Sequence, residues 1–273
     1  MPTRAESRKQ AVILELFSEL RRPGEHLDIL NFTTDRVREL CREHEFRNPF
    51  DATNFDTIER LPTKLQDEGY FIVHLGRGDH AFVRGQGYHV LEPIQTTKGW
   101  PGAESLVDKL GISEASAIST MYNDRIIHDF LYAGSDADLQ VHTARRSNAT
   151  FSFQVNKQQL HADWVQVEID GFFEGPNLIV PVNIKNGKRS NFEIRQMFTI
   201  MKYLEQFQLD GRIPSRTKSR LLYINRIKAS SRDDFDIYEY RWKNPSDFNG
   251  FEFVKSVRYK RTGFERVSAL SSA

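Results

Sequence analysis

Apolar residues recur at helical spacing through residues 9–22, where Ala11, Leu14, Leu16, Phe17 and Leu20 gather on one side and Pro23-Gly24 stops the run. Thr33-Thr34-Asp35 offers an N-cap for a second helix through Cys41. A third helix is predicted from about Asp56 to Asp67, with Ile58, Leu61 and Leu65 on one face. Pro62 interrupts that pattern and should kink or split the helix, because it removes a backbone donor. Gly69 ends it, and Tyr70–Leu75, a turn at 76–79 and His80–Val83 then read as a β-hairpin.

The second half is patterned differently. Residues 93–101, with Thr96-Thr97-Lys98-Gly99, look like a linker, and 103–110 can form a short helix. Ser113 is a plausible N-cap for a helix over 113–131, running through Ile126, Ile127 and Phe130. Strands are predicted at 149–155, 164–170 and 177–184, a long helix at about 191–207, and a strand at 220–225. Shorter alternations follow near 235–242 and 251–258. The whole is an α+β or α/β chain of two domains, 1–95 and 96–273.

Composition narrows the classes. A chain of 273 residues with 39% hydrophobic and 27% charged residues has ample material for a core. Lys+Arg 38 against Asp+Glu 37 leaves a net charge of +1, so any nucleic-acid contact must come from local patches. A single cysteine, Cys41, excludes a disulfide framework and a cysteine-rich zinc site, and it reads as a small core residue. No run approaches the ~18 apolar residues of a membrane span, and the polar start is no signal peptide. These features point to a cytoplasmic chain without a membrane partner.

The candidate chemistry lies between two strands. Alternation turns Val165, Val167 and Ile169 to one side and Gln166, Glu168 and Asp170 to the other. Asn183 and Lys185 share a face of the next strand, so Asp170 and Asn183 should meet at one sheet end. Pro181 is an awkward fit in a central strand, and a bulge would explain it. Taken alone, a lone Asp…Asn-x-Lys also describes a turn acid and a surface lysine. His142 and His161 fit no common zinc spacing. Basic residues cluster at Lys185, Lys188 and Arg189, at Arg212, Arg216, Lys218 and Arg220, and at Tyr259-Lys260-Arg261. Each cluster suits either a phosphate-contacting face or an ordinary solvated one.

Helix, helix, helix and two-stranded wing over about residues 9–92 resemble a winged helix-turn-helix domain. The resemblance implies that Asn54, Thr57, Arg60 and Lys64 face a DNA groove while Arg77 and His80 sit on the wing. Glu168-Ile-Asp170-Gly171…Val182-Asn183-Ile184-Lys185, followed by Phe192-Glu-Ile-Arg195-Gln196, resembles the PD-(D/E)XK nuclease superfamily, in particular type II restriction endonucleases with an N-terminal winged helix. The similarity covers roughly residues 104–225 and implies a mixed sheet flanked by helices. It makes Asp170 the metal-binding aspartate, puts Asn183 at the second acidic position and makes Lys185 the catalytic lysine. Glu114 becomes an accessory acid, Gln196 a glutamine behind the site, and Glu168 a further ligand candidate.

The implied activity is Mg2+- or Mn2+-dependent cleavage of double-stranded DNA at a specific site, in a prokaryotic cytoplasm, by a homodimer if the site is palindromic. Lys188 and Arg189 join the DNA-contacting candidates. Asn183 departs from the pattern, because an amide can ligate but brings no charge. Either this branch tolerates an amide, or the chain is an inactive acid-to-amide variant. Two rivals stay open: a structure-specific repair or junction nuclease, and a non-cleaving DNA-binding regulator with a degenerate nuclease domain.

Overall fold

The computed structural model describes residues 3–21, 27–102, 113–133, 137–228 and 233–263; the helix expected at 103–110 lies outside the described residues. The first helix, α1 (Arg4–Leu20), starts earlier than its apolar stripe because Thr3 and Glu6 close a capping box. It buries Val12, Ile13, Leu16 and Phe17. Strand β1 (Ile29–Thr33), which the sequence did not announce, leads into α2 (Thr34–Glu43), whose first turn is capped by the Thr33 hydroxyl. Cys41 is buried on the inner face of α2, as a small core residue would be. After the single turn α3 (Pro49–Ala52), the expected third helix is split at Pro62. A 3-10 turn (Ile58–Arg60) precedes it and the short α4 (Thr63–Asp67) follows. The hairpin β2 (Tyr70–Gly76) and β3 (Asp79–Arg84) completes a three-stranded sheet in the order β1-β3-β2.

This hairpin is buried on both sides. Tyr70, Ile72 and Phe82 pack into the helical core, while Phe71, Val73, Ala81 and Val83 pack against a second hairpin, β7 (Arg145–Val155) and β8 (Gln158–Ile169). Each fully buried apolar side chain contributes about 1.5–3 kcal/mol. The covered hairpin therefore cements the two halves of the chain, which an exposed wing would not do.

Eight of the remaining strands form a mixed sheet. Its order is β5 (Thr96–Gly102), β15 (Phe251–Gly263), β14 (Asp234–Trp242), β13 (Leu221–Ile227), β10 (Leu178–Asn186), β9 (Gly171–Gly175) and β6 (Gln140–His142), with β12 (Lys218–Ser219) also beside β10. Strand β10 runs antiparallel to β9 and parallel to β13. Helices α5 (Glu114–Asn123) and α6 (Ile126–Tyr132) cover one face through Ile118, Met121, Ile127 and Phe130. Helix α7 (Ile194–Leu209), the crossover between β10 and β13, covers the other through Met197, Phe198 and Leu204. The expected class, α+β with a mixed sheet flanked by helices, describes this arrangement.

Several local expectations change. The helix expected over 113–131 breaks at Asp124-Arg125, where Arg125 adopts a left-handed φ of 58°. Residues expected to be a linker form β5, held parallel to β15. The glycine-rich turn expected after Asp170 is itself strand β9. The helix expected from 191 begins at 194, because β11 (Asn191–Glu193) pairs with β4 (Tyr88–Val90). Pro181 needs no bulge: it pairs in register with Phe172 on one side. On the other side it falls between the β12 pairing, which ends at Ile179, and the β13 pairing, which begins at Val182. Its missing N–H leaves no ladder bond broken there.

Candidate active site

Asp170 stands where β8 bends into β9 and the chain passes from one sheet to another. Gly171 lets α5 pack closely against this point, since a Cβ there would lie 2.4 Å from Ile118 Cδ1. Gly171 pairs with Val182, and the Asp170 N–H donates to the Val182 carbonyl at 3.2 Å, which holds Asp170 beside the Asn183-Ile184-Lys185 stretch. The Asp170 carboxylate accepts the Ile184 backbone N–H at 2.7 Å, which places it at the residue separating Asn183 from Lys185. Burial is the main cause that raises the Asp170 pKa; the Ile184 bond and Lys185 oppose it, and Glu168 adds to it.

Asn183 and Lys185 share the α7 side of β10, with Tyr223 and Asn225 opposite them on β13. Asn183 is only 5% exposed, yet its Oδ1 has no hydrogen-bond partner. A buried acceptor in that state costs roughly 1–3 kcal/mol. Glu114 opens α5 above this end of the sheet. Burial, then the negative field of Asp170, raises its pKa, and Lys185 lowers it. Gln196, in the first turn of α7, donates to the Asp56 carboxylate at 3.1 Å and leaves its own Oε1 unpartnered. Exposed Glu168 pairs with Arg146 at 3.1 Å.

These groups open into a cleft of about 920 Å3 between the N-terminal unit and the β7–β8 hairpin. Asp170, Asn183, Lys185, Glu168 and Gln196 line it; Glu114 lies just outside. Of the residues expected to face DNA, Asn54, Arg60, Arg77 and His80 also line the cleft. Each is already engaged: Asn54 donates to the Phe50 carbonyl, Arg60 pairs with Glu6 at 3.3 Å, and Arg77 pairs with Asp163 at 2.7 Å. His80 bonds Thr34 at 2.8 Å, and burial together with Arg195 pushes its pKa down to about 4. It is neutral near pH 7 and offers no cation to a phosphate.

Four expected contacts lie outside the cleft. Thr57 is buried. Lys64 turns toward Ser18 and the Phe17 ring. Lys188 and Arg189 occupy the turn after β10, where the Arg189 carbonyl accepts from Asn225.

Sequence reasoning missed two residues. Asp56 brings a carboxylate across the cleft from the N-terminal unit, a placement that only docking of the two halves creates. Trp164 lines the cleft at 60% exposure with a left-handed φ of 60°. For a bulky residue this conformation costs about 1–3 kcal/mol. The surroundings enforce it: Trp164 N–H donates to Thr150 Oγ1 at 3.0 Å, and Gly76 lies against the Asp163 carbonyl, where a Cβ would approach to 1.9 Å. One signal was available. Leu160 and Ala162 are buried, then Val165, Val167 and Ile169, so the apolar alternation changes phase at 163–164. The pairing with β7 shifts at the same level, between Ala149 and Phe151.

Residues 85–260 match the family described as Domain of unknown function (DUF6997), and residues 12–82 match the one described as Domain of unknown function (DUF6996). The chain belongs to the DUF6997 family. No curated protein and no solved structure gives a significant match. The DUF6997 part supplies Asp170, Asn183, Lys185 and Gln196, and the DUF6996 part supplies the facing wall with Asn54, Arg60 and His80. Among the described residues, no three His, Cys, Asp or Glu side chains are grouped to hold a metal ion, and no helix is long and apolar enough to cross a membrane.

Proposed function

We propose that this DUF6997 chain is a divalent-metal-dependent endonuclease of the PD-(D/E)XK type that cuts double-stranded DNA at a specific site, as type II restriction enzymes do. The observation that carries the reading is the Asp170–Asn183–Lys185 cluster. A half-buried carboxylate, an orphaned amide oxygen and an ammonium come together at the ends of β9 and β10, with α5 and α7 on the two faces of the sheet. The N-terminal helical unit, which carries Asn54, Arg60 and Arg77 into the cleft opposite the cluster, supports a DNA-contacting role for that wall even though its hairpin is covered and not an exposed wing.

The donor set suits a hard cation such as Mg2+ or Mn2+, because Asp170 offers a carboxylate and Asn183 Oδ1 an oxygen with no other partner. When bound there, the ion supplies positive charge against the phosphate and acidifies water. The chain's own residues do the rest. Asp170 is fixed by the Ile184 amide, so its free oxygen keeps one direction. Lys185 holds a non-bridging phosphate oxygen and stabilises the charge that builds on it. Glu114, with its raised pKa, is suited to exchange a proton at the edge of the site. Asp56 orients Gln196 toward the cleft. A homodimer would present one such cluster to each strand of a palindromic site.

The uncharged Asn183 favours a second reading, in which the same cleft binds DNA without cutting it. Supercoiled plasmid incubated with the chain in Mg2+ and in Mn2+ separates the two. Nicking that disappears in Asp170→Ala while gel-shift binding persists supports the nuclease. Binding without nicking, in the chain and in Asn183→Asp alike, supports the regulator.

A further inference from the structure

Two large aromatic side chains stand exposed in an otherwise polar cleft. Trp164 projects from β8 on one wall, and Phe50, 71% exposed, projects from α3 on the other. The Arg38 guanidinium lies 5.8 Å from the Phe50 ring centroid. Beside Trp164, the paired residues Asn148 and Gln166 bring side-chain amides into the cleft. Arg77 and its partner Asp163 flank the tryptophan at the tip of the β2–β3 hairpin. An indole held outward by a constrained backbone, with amides on one side and, near each wall, a guanidinium ion-paired at the surface (Arg77 to Asp163, Arg38 to Asp35), suits a flat, hydrogen-bonding ligand whose phosphates would compete for those arginines. Nucleobases have that chemistry: a π-face for the ring, edge donors and acceptors for amides, and an anionic backbone for arginine.

Resting on the DNA-binding reading above, we propose that Trp164 is a stacking platform for a nucleobase displaced from its helical stack and drawn into the cleft. Strand β8 separates Trp164 from Asp170 by six residues, a span of about 20 Å. The held base therefore lies several nucleotides from the phosphate at Asp170 and acts in positioning and readout. Asn148 and Gln166 are placed to read its edge.

The test uses the full chain in EDTA, so that nothing is cut, with a fluorescein-labelled single-stranded oligodeoxynucleotide as probe. Anisotropy reads binding, and tryptophan emission with an unlabelled strand reads stacking. Trp100 packs against the α5–α6 core and Trp242 is buried, so quenching reports chiefly on Trp164. The expected result is quenching in the parent and none in Trp164→Phe, which keeps an aromatic face and most of the affinity. Trp164→Leu should bind on the order of tenfold more weakly, with the salt dependence of binding unchanged, because a stacking contact and no phosphate contact is lost. Equal melting temperatures for the parent and Trp164→Leu would exclude misfolding. Intact anisotropy with no quenching and no loss in Trp164→Leu overturns this inference alone. Absence of any oligonucleotide or duplex binding overturns it together with the DNA-binding reading.

Discussion

Replacing Asn183 by aspartate probes the site most informatively without removing anything from it. The new carboxylate would sit on a residue 5% exposed, between the Val182 carbonyl and the Ile184 N–H that both bond Asp170. Side chains that neighbour one another across adjacent strands lie about 5 Å apart at Cβ. Two carboxylates at that separation repel by about 3 kcal/mol at an effective dielectric of ~20. Lys185 on the same face offsets part of this, which leaves a net cost of roughly 2 kcal/mol at pH 8 in EDTA. For a chain of this size the melting temperature should fall by about 4–8 °C. Mn2+ at about a hundred times its Kd should restore about 2.7 kcal/mol, and the parent should gain clearly less because its amide carries no charge. Thermal melts of both proteins across a Mn2+ titration give the metal-free difference and the two metal-induced shifts. Equal melting in EDTA and equal metal-induced shifts would refute the reasoning, because the two positions would then neither adjoin nor share an ion.

Further outcomes follow from the same geometry. The folded-state pKa of Asp170 is raised, so this group's ionisation weakens the fold above that value; the penalty fades as pH falls through it toward the ordinary value of 3.8. Asp170→Asn should therefore be the more stable protein at pH 8, with the difference closing toward pH 4 in parallel melts. Gly76→Ala places a Cβ 1.9 Å from the Asp163 carbonyl at a φ of +88°, and should cost roughly 3 kcal/mol, read as a loss in urea midpoint. Trp164→Gly should be about 1 kcal/mol more stable than Trp164→Ala, since both lose the indole and only glycine relieves the φ of 60°. Equal urea midpoints for that pair would mean that the backbone at 164 is relaxed.

The legible parts of this chain were those whose determinants are local. Caps at Thr33 and Ser113, the helical stripe of α1 and the Gly-Arg-Gly turn between β2 and β3 announce their elements from a few neighbouring residues. Alternation alone put Asn183 and Lys185 on one face, and the structure adds that Asp170 reaches the amide between them. What was illegible depends on distant partners. Strand β5 is polar and glycine-containing, and only its pairing with β15, more than 150 residues later, makes it a strand. Gly171 and Gly175 read as turn formers but serve close packing against Ile118 and Tyr132. Asp56 and Trp164 enter the site because β2 and β3 are buried against β7 and β8, a contact that no local pattern encodes.

The central claim is that Asp170, Asn183 and Lys185 form a phosphodiester-cleaving site. Its most direct test is digestion of plasmid DNA in Mg2+ by Asn183→Asp beside the double variant Asn183→Asp/Asp170→Ala. The account predicts discrete fragments from the first and intact plasmid from the second, with both proteins still binding DNA. Intact plasmid from both, with binding preserved, would contradict it.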